Sequence, residues 1–204
     1  MDGVMIDSEV RWQTMEHNFI GNLMKNWTSR DQNRLMGLSR EDTYKLLVND
    51  YGFDWEWERF NKAVDEIAEV IYDKCELIDG FLDFIKSLQG KITVGLASSA
   101  KRKDIDIICN KFNLYPFFET IVSSNDVGGK SKPDPLIYLH SAKTLNANPE
   151  ECIAIEDSRN GVLSAKAAGM TCIGFRNGIN DDQDLSAADV IVKSFDEIDL
   201  TLFN

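Results

Sequence analysis

Ile153-Ala154-Ile155-Glu156-Asp157-Ser158-Arg159-Asn160-Gly161 is the stretch on which the reading of the fold turns. An apolar run ends abruptly in two carboxylates, and a hydroxyl and a glycine then open a helical pattern carried by Val162, Ala165 and Ala168. A run that is apolar throughout, with no polar alternation, reads as a strand buried on both faces, as in a parallel sheet covered by helices. The same unit recurs on either side. Short β-rich runs at 92–97, 120–123, 152–155, 171–175 and 189–192 alternate with helical segments bearing Ile105, Ile108 and Phe112, then Leu136, Leu139 and Ala142. This alternation predicts a doubly wound α/β core.

Before Asp79-Gly80 the pattern is different. Trp12, Met15, Phe19, Ile20, Leu23 and Met24 recur at three- and four-residue steps, as an amphipathic helix requires. Asp7 and Ser8 are its candidate N-caps. A short helix is expected from Asp31 to Met36, stopping near Gly37. A third opens at Ser39, with Asp42 completing a capping-box-like pair, and ends at Gly52. Trp57, Phe60, Val64, Ile67 and Ile71 mark a fourth. Trp55 and Trp57 suggest a ligand-stacking pair, but aromatics at this spacing are more often core. The predicted organisation is therefore an all-helical insertion over residues 10–76, set into an α/β core made of 1–9 and 77–204.

The chain has 204 residues, enough for one large domain or two small ones. A net charge of -12 argues against a nucleic-acid surface as partner. No apolar run is long enough to span a bilayer and no signal peptide is visible, so no membrane partner is expected. Cys75, Cys109, Cys152 and Cys172 lie far apart without a C-x-x-C pair. Reduced, structural thiols and a cytoplasmic location are the expectation. His17 and His140 fall in helical patterns without ligand-spaced partners.

In an open parallel sheet, ligands bind beyond the carboxyl ends of the strands. Three such ends carry chemistry here. Ser98-Ser99-Ala100 brings hydroxyls and backbone N–H groups to a helix start, which is either an anion site or an ordinary cap. A long polar loop then leads to Lys132-Pro133-Asp134-Pro135, where Lys132, or Lys130 nearby, is placed to neutralise a phosphate. Glu156 and Asp157 form the third end, and adjacent carboxylates after an apolar strand are costly unless something cationic holds them. Oxygen-only ligands of this kind suit Mg²⁺. The first nine residues, Met1-Asp2-Gly3-Val4-Met5-Ile6-Asp7-Ser8-Glu9, read as a loop leaving an active site and starting a helix. Loops of this type follow a buried strand, and here none precedes. Together with Asp2, these groups are the parts for metal-assisted phosphoryl transfer.

The motifs resemble those of haloacid dehalogenase-like hydrolases with a helical cap inserted after the first motif, a subfamily of sugar-phosphate phosphatases and β-phosphoglucomutases. Met1 to Ser8, Leu96-Ala97-Ser98-Ser99, Lys132-Pro133-Asp134-Pro135 and Ile155-Glu156-Asp157-Ser158 with Gly161 match its four motifs in order, over essentially the whole chain. The resemblance implies Asp2 as general acid–base, with its carbonyl on Mg²⁺, Ser98 holding the phosphoryl group and Lys132 neutralising it. Asp157, helped by Glu156, would hold the metal. Ser99, Arg40 and Lys101 would bind phosphate or substrate.

The family's nucleophile is an aspartate two positions before Asp2, which falls ahead of Met1 together with its central strand. The resemblance thus implies a sequence shortened before its nucleophile and inactive as written, whether by a mis-assigned start, a truncated gene or a true pseudoenzyme. Asp2 favours phosphoryl chemistry over dehalogenation. Trp12 stands where the mutases carry a cap histidine, which favours a phosphatase, whereas Gly37-Leu38-Ser39-Arg40-Glu41-Asp42 resembles the cap loop by which mutases grip a distal phosphate. A small phosphorylated metabolite is the expected partner, and a monomer or weak dimer the expected state.

Overall fold

The computed structural model describes residues 1–35, 38–199 and 201. Its first half is helical: Glu9–Leu23 (α1), Ser29–Asn33 (α2), Arg40–Tyr51 (α3) and Trp57–Lys74 (α4). Thr28 starts α2, its hydroxyl accepting from Asp31 N while its own N–H donates to the Asp31 carboxylate at 3.0 Å. This helix starts two residues before the expected Asp31 and ends at Asn33, short of the expected Met36; Met36 itself and Gly37 of the cap loop lie outside the described residues. Ser39 caps α3 by accepting from Asp42 N at 3.2 Å, and Gly52 ends it in the left-handed conformation with φ 68°.

These helices enclose their own apolar cluster of Ile20, Leu35, Leu47, Phe53, Phe60 and Val64. Trp57 packs against it, with Tyr44 and Trp57 edge-to-face at 5.2 Å, as a core aromatic does. Trp55 lies under the Arg59 guanidinium at 3.7 Å, away from any ligand-stacking partnership with Trp57.

The second half alternates as predicted, with one element the sequence reading omitted. Phe81–Leu88 (α5) is an eight-residue helix that buries Phe81, Ile85 and Leu88 on one face. Then follow Gly95–Ser98 (β1), Arg102–Lys111 (α6), Thr120–Ser123 (β2), Leu136–Thr144 (α7), Ile153–Glu156 (β3), Arg159–Ala167 (α8), Thr171–Phe175 (β4) and Val190–Val192 (β5). Every strand pairing is parallel. β1 pairs with β2, with Ser98 opposite Ser123, and β3 pairs with β4, which pairs with β5. Among the described residues the strands thus form two parallel sheets, β1-β2 and β3-β4-β5, rather than one. Both contribute to one large cluster: Leu96 from one sheet, Ile173, Phe175 and Val192 from the other, with Met1, Val4, Met5 and Ile6 of the first loop buried among them.

That loop is tightly wound. Met5 N donates to Met1 O at 2.8 Å and Gly3 N to Ile6 O at 3.0 Å. Gly3 has φ +69°, and a Cβ there would stand 1.9 Å from Asp157 Oδ2, so only glycine lets this turn approach the carboxylate. Asp7 closes the neck of the helical insertion, because its N–H donates to Glu76 O at 3.0 Å and its carboxylate accepts from Glu76 N at 2.7 Å. The insertion also touches the core through Ser39 Oγ, which donates to Gly129 O at 3.3 Å, and through Ser131 Oγ on Asp42. No helix among the described residues is long and apolar enough to cross a membrane.

Candidate active site

The carboxyl ends of β1 and β3, the first loop and the helical insertion surround one cavity of about 200 Å³. Drug-sized ligands occupy roughly 300–1,000 Å³, so this one suits a small metabolite. Asp2, Arg40, Ser98, Ser99, Lys101, Lys132, Glu156 and Asp157 all line it. Residues far apart in the chain are thus brought to one place, as the strand-end argument predicted.

Asp2 is aimed by Ser8. This serine sits at the N-cap position of α1 but makes no side-chain cap; fully buried, it donates to Asp2 Oδ1 at 2.5 Å instead. Ser98, at the last position of β1, is 3% exposed, and its Oγ accepts from Ala100 N at 3.2 Å. A hydroxyl so held keeps its own proton available to an anion.

Lys132 and Glu156 form a buried ion pair, at 7% and 4% exposure. Glu156 Oε1 accepts from both Lys132 Nζ and the Tyr138 hydroxyl. Burial pushes the Glu156 carboxyl up, but Lys132 and the Tyr138 bond outweigh it, so Glu156 stays below the ordinary range. Its Oε2 faces Gly161, where a Cβ would stand 1.9 Å away. Glu156, expected as a metal ligand, is therefore engaged in holding the ammonium of Lys132 in the cavity.

Asp157 is different. Burial first, then the charges of Glu156 and Asp2, push its carboxyl up to about 7, against the pull of Lys132. Glu9, at the start of α1, is raised for the same reasons, burial and then Asp157 and Asp2. Such crowding of carboxyls is the electrostatic signature of a place for a cation. No three acidic, histidine or cysteine groups among the described residues are grouped to hold a metal unaided. Mg²⁺ does not require that, since it binds through one or two carboxylates plus water and substrate phosphate. The all-oxygen pair of Asp2 and Asp157 fits such an ion.

Two expected substrate contacts are placed differently. Arg40, its side chain 9% exposed, bonds Asp65 and Asn61 of α4 and reaches Asp104 of α6 at 3.5 Å. Lys101 turns to the same helix, bonding Asn61 and lying 3.6 Å from Asp65. Lys103 joins them, 2.6 Å from Asp65. All three cations link the insertion to the core, and Arg40 and Lys101 also wall the cavity.

The sequence reading missed Asn177 and Asn180. Asn177 Nδ2 donates to Gly3 O at 2.9 Å and lies 3.5 Å from Asp157 Oδ2, while Asn180 Nδ2 donates to Asp157 O at 2.6 Å. Both follow the carboxyl end of β4, so the strand-end rule that found Ser98 also pointed to them. Glu9, Glu16 and Gln32, which line the cavity, and Tyr138, which bonds Glu156 from behind it, were missed as well, because on a helix nothing local distinguishes a side chain that faces inward. None of the four cysteines is in a disulfide; Cys75, Cys109 and Cys172 are buried and Cys152 is half-buried.

Comparison with known proteins agrees with this geometry. The profile of haloacid dehalogenase-like hydrolases matches residues 1–175. A phosphorylated carbohydrates phosphatase of Thermotoga maritima is 28% identical over 94% of this chain and 89% of its own. The β-phosphoglucomutase of Bacillus subtilis is 28% identical over 100% and 91%. A bifunctional riboflavin kinase/FMN phosphatase of Arabidopsis thaliana is 27% identical over 98% of this chain, which spans 53% of that protein's length. The crystal structure of a β-phosphoglucomutase from Clostridium difficile superposes with a TM-score of 0.79 at 23% identity, covering 98% of this chain and 91% of that one, and so shares the fold. With its four motifs gathered at one cavity and its profile matched over most of its length, the chain belongs to the haloacid dehalogenase-like hydrolase family.

Proposed function

We propose that this protein is a Mg²⁺-dependent phosphatase acting on a small phosphorylated metabolite, a sugar phosphate, through an aspartyl-phosphate. The observation that carries the reading is the convergence of Asp2, Ser98, Lys132 and Asp157 on one small cavity. Ser98 and Lys132 bind and neutralise the phosphoryl group, the second held in place by Glu156. Asp2, oriented by Ser8, gives its proton to the leaving oxygen and then takes one from the attacking water. Asp157 and the Asp2 carbonyl hold Mg²⁺, which when bound offsets the charge developing on the transferred group. The helical insertion, with boundaries at residues 10 and 76, closes over the site and keeps water from it until substrate is seated.

The covalent step needs a carboxylate acceptor, and in this motif it belongs two positions before Asp2. A form without an aspartate at that position should not turn over. One extended upstream to include an aspartate at that position should. Phosphate release from a panel of phosphorylated metabolites by the two forms, with and without EDTA and with Asp157→Asn in the extended form, tests all of this. Undiminished activity in EDTA, or equal activity of the two forms, would overturn the reading, and no activity in either would favour a non-catalytic protein.

A phosphomutase is the second reading, since a β-phosphoglucomutase aligns along the whole chain. Trp12 argues against it, packed edge-to-face on Tyr72 at 6.0 Å where mutases place a histidine. No membrane, no nucleic acid and a monomeric or weakly dimeric state complete the proposal.

A further inference from the structure

The cavity has an end that the phosphoryl chemistry does not use, and it is acidic. Beyond Asp2, Glu156 and Asp157, it is lined by Glu9, Glu16 and Asp104, against only Arg40, Lys101 and Lys132 as cations. Of those three, Lys132 is paired with Glu156, and Arg40 and Lys101 with carboxylates or amides of α4 and α6.

Two carboxylates of this lining matter, and one of them has a buried oxygen with no described donor. Asp104 has a side chain only 4% exposed, and its Oδ1 has no hydrogen-bond partner among the described residues. A buried carboxylate oxygen left unpaired is costly unless a ligand supplies the donor. Glu16 on α1 accepts from Gln32 Nε2 at 2.6 Å through Oε2. The orientation of that amide is fixed, because Trp27 Nε1 donates to Gln32 Oε1 at 3.0 Å and leaves only the NH₂ group for Glu16. Among the described residues Gln32 is the only hydrogen-bond partner of Glu16. The far wall is thus built to accept hydrogen bonds from something that donates them and carries no negative charge.

We infer that Glu16, with Asp104 beside the Arg40 guanidinium, reads the hydroxyl groups at the non-phosphorylated end of the substrate. The cavity thereby selects polyol or sugar monophosphates and rejects bisphosphates. This rests on the phosphoryl-site reading above. A second phosphate would have to displace Asp65 and Asp104 from Arg40 and sit beside the Glu16 carboxylate, whereas a hydroxyl needs neither change. The same electrostatics explain why the cap-loop arginine does not by itself make a mutase: a bisphosphate intermediate needs a cationic pocket for each end.

The test is equilibrium binding in the presence of Mg²⁺, in an Asp2→Asn background so that ligands are not consumed. The probes are inorganic phosphate, a hexitol 6-phosphate and a hexose 1,6-bisphosphate. The monophosphate should bind at least about tenfold tighter than the bisphosphate. Glu16→Leu should cost the monophosphate about tenfold or more, the worth of one hydrogen bond to a charged group, and leave phosphate binding unchanged. Glu16→Gln, which keeps the shape and the Gln32 contact, should lie between. A bisphosphate bound as tightly as the monophosphate, or Glu16 variants that move phosphate and monophosphate by the same factor, would overturn the inference alone. Absence of phosphate binding before any Glu16 substitution would overturn it together with the phosphoryl-site reading.

Discussion

Replacing Lys132 with methionine isolates the buried ion pair on which the site is built. Methionine keeps the length and much of the volume, so little packing is lost and the change is mainly electrostatic. Glu156 would remain 4% exposed, with Tyr138 as its remaining described donor and Asp157 next in sequence. Removing one member of a buried pair costs about 3–5 kcal/mol because the other is left uncompensated. Against a total of roughly 5–15 kcal/mol, that is a large share, and for a chain of this size it should lower Tm by about 10 °C. The reasoning places the cost in the stranded charge, not in the lost contact. Adding Glu156→Gln should therefore restore much of the stability, since a neutral amide still bonds Tyr138. Urea and thermal denaturation of the two single variants and the double variant measure this as a coupling free energy. A loss below about 1 kcal/mol for Lys132→Met, or a double variant whose loss equals the sum of the singles, would refute it.

Three further outcomes are expected. Gly3→Ala should destabilise by roughly 1–3 kcal/mol from the left-handed backbone alone, and by more because the Cβ meets Asp157; a Tm within error of the parent would show that the turn relaxes. Arg40→Ala should lower kcat/KM for the best sugar phosphate while sparing a small aryl phosphate, because it unties α3 from α4 and α6; equal losses on both would indicate a general folding defect. Burial pushes Glu16 from 4.5 up to about 7, so its contribution to folding is complete below pH 4.5 and is lost as pH rises through about 7. Glu16→Gln should flatten that part of the Tm profile between pH 5 and 7.5, and an unaltered profile would show that the carboxyl is solvated.

What could be read from the chain was whatever its local pattern encodes. The strands at 120–123 and 171–175 are continuous apolar runs bounded by polar residues, and both were placed to the residue. Ser98, Lys132 and Asp157 were legible because each stands where an apolar run or a polar loop meets a helix. Helix α5 was not, since Phe81-Leu82-Asp83-Phe84-Ile85 is apolar enough in a short segment to suit a strand as well as a helix. Among the described residues the strands of the expected parallel core pair as two sheets, and alternation, which encodes which elements exist, does not encode which edges pair. Partnerships at long range were also hidden. Nothing near Arg40 announces Asp65 or Asp104, and nothing near Gly3 announces an asparagine 174 residues away. Whether a cation is free for substrate or bound by its neighbours is a property of the folded surface.

The neck at Asp7 and Glu76 has a consequence for how such a protein can diversify. The chain leaves the core and returns to it through two positions joined by a pair of hydrogen bonds, and Ile6 bridges Leu77 beside them. To the core, everything from Ser8 to Cys75 is a loop whose ends already touch. Exchanging that segment for a foreign one would require that the new ends be equally close and that the faces of Ala68, Ile71 and Tyr72, buried in the main cluster, be replaced, while the entropy of closing a longer loop rises only slowly. The hydrogen bonds described for the side chains of Asp157, Lys132 and Ser98 would not register the graft, although Asp157 would lose the neighbouring charge of Glu9. Asp2 would, through its bond from Ser8, which makes this serine the junction at which a transplanted recognition module has to be matched to the chemistry it serves.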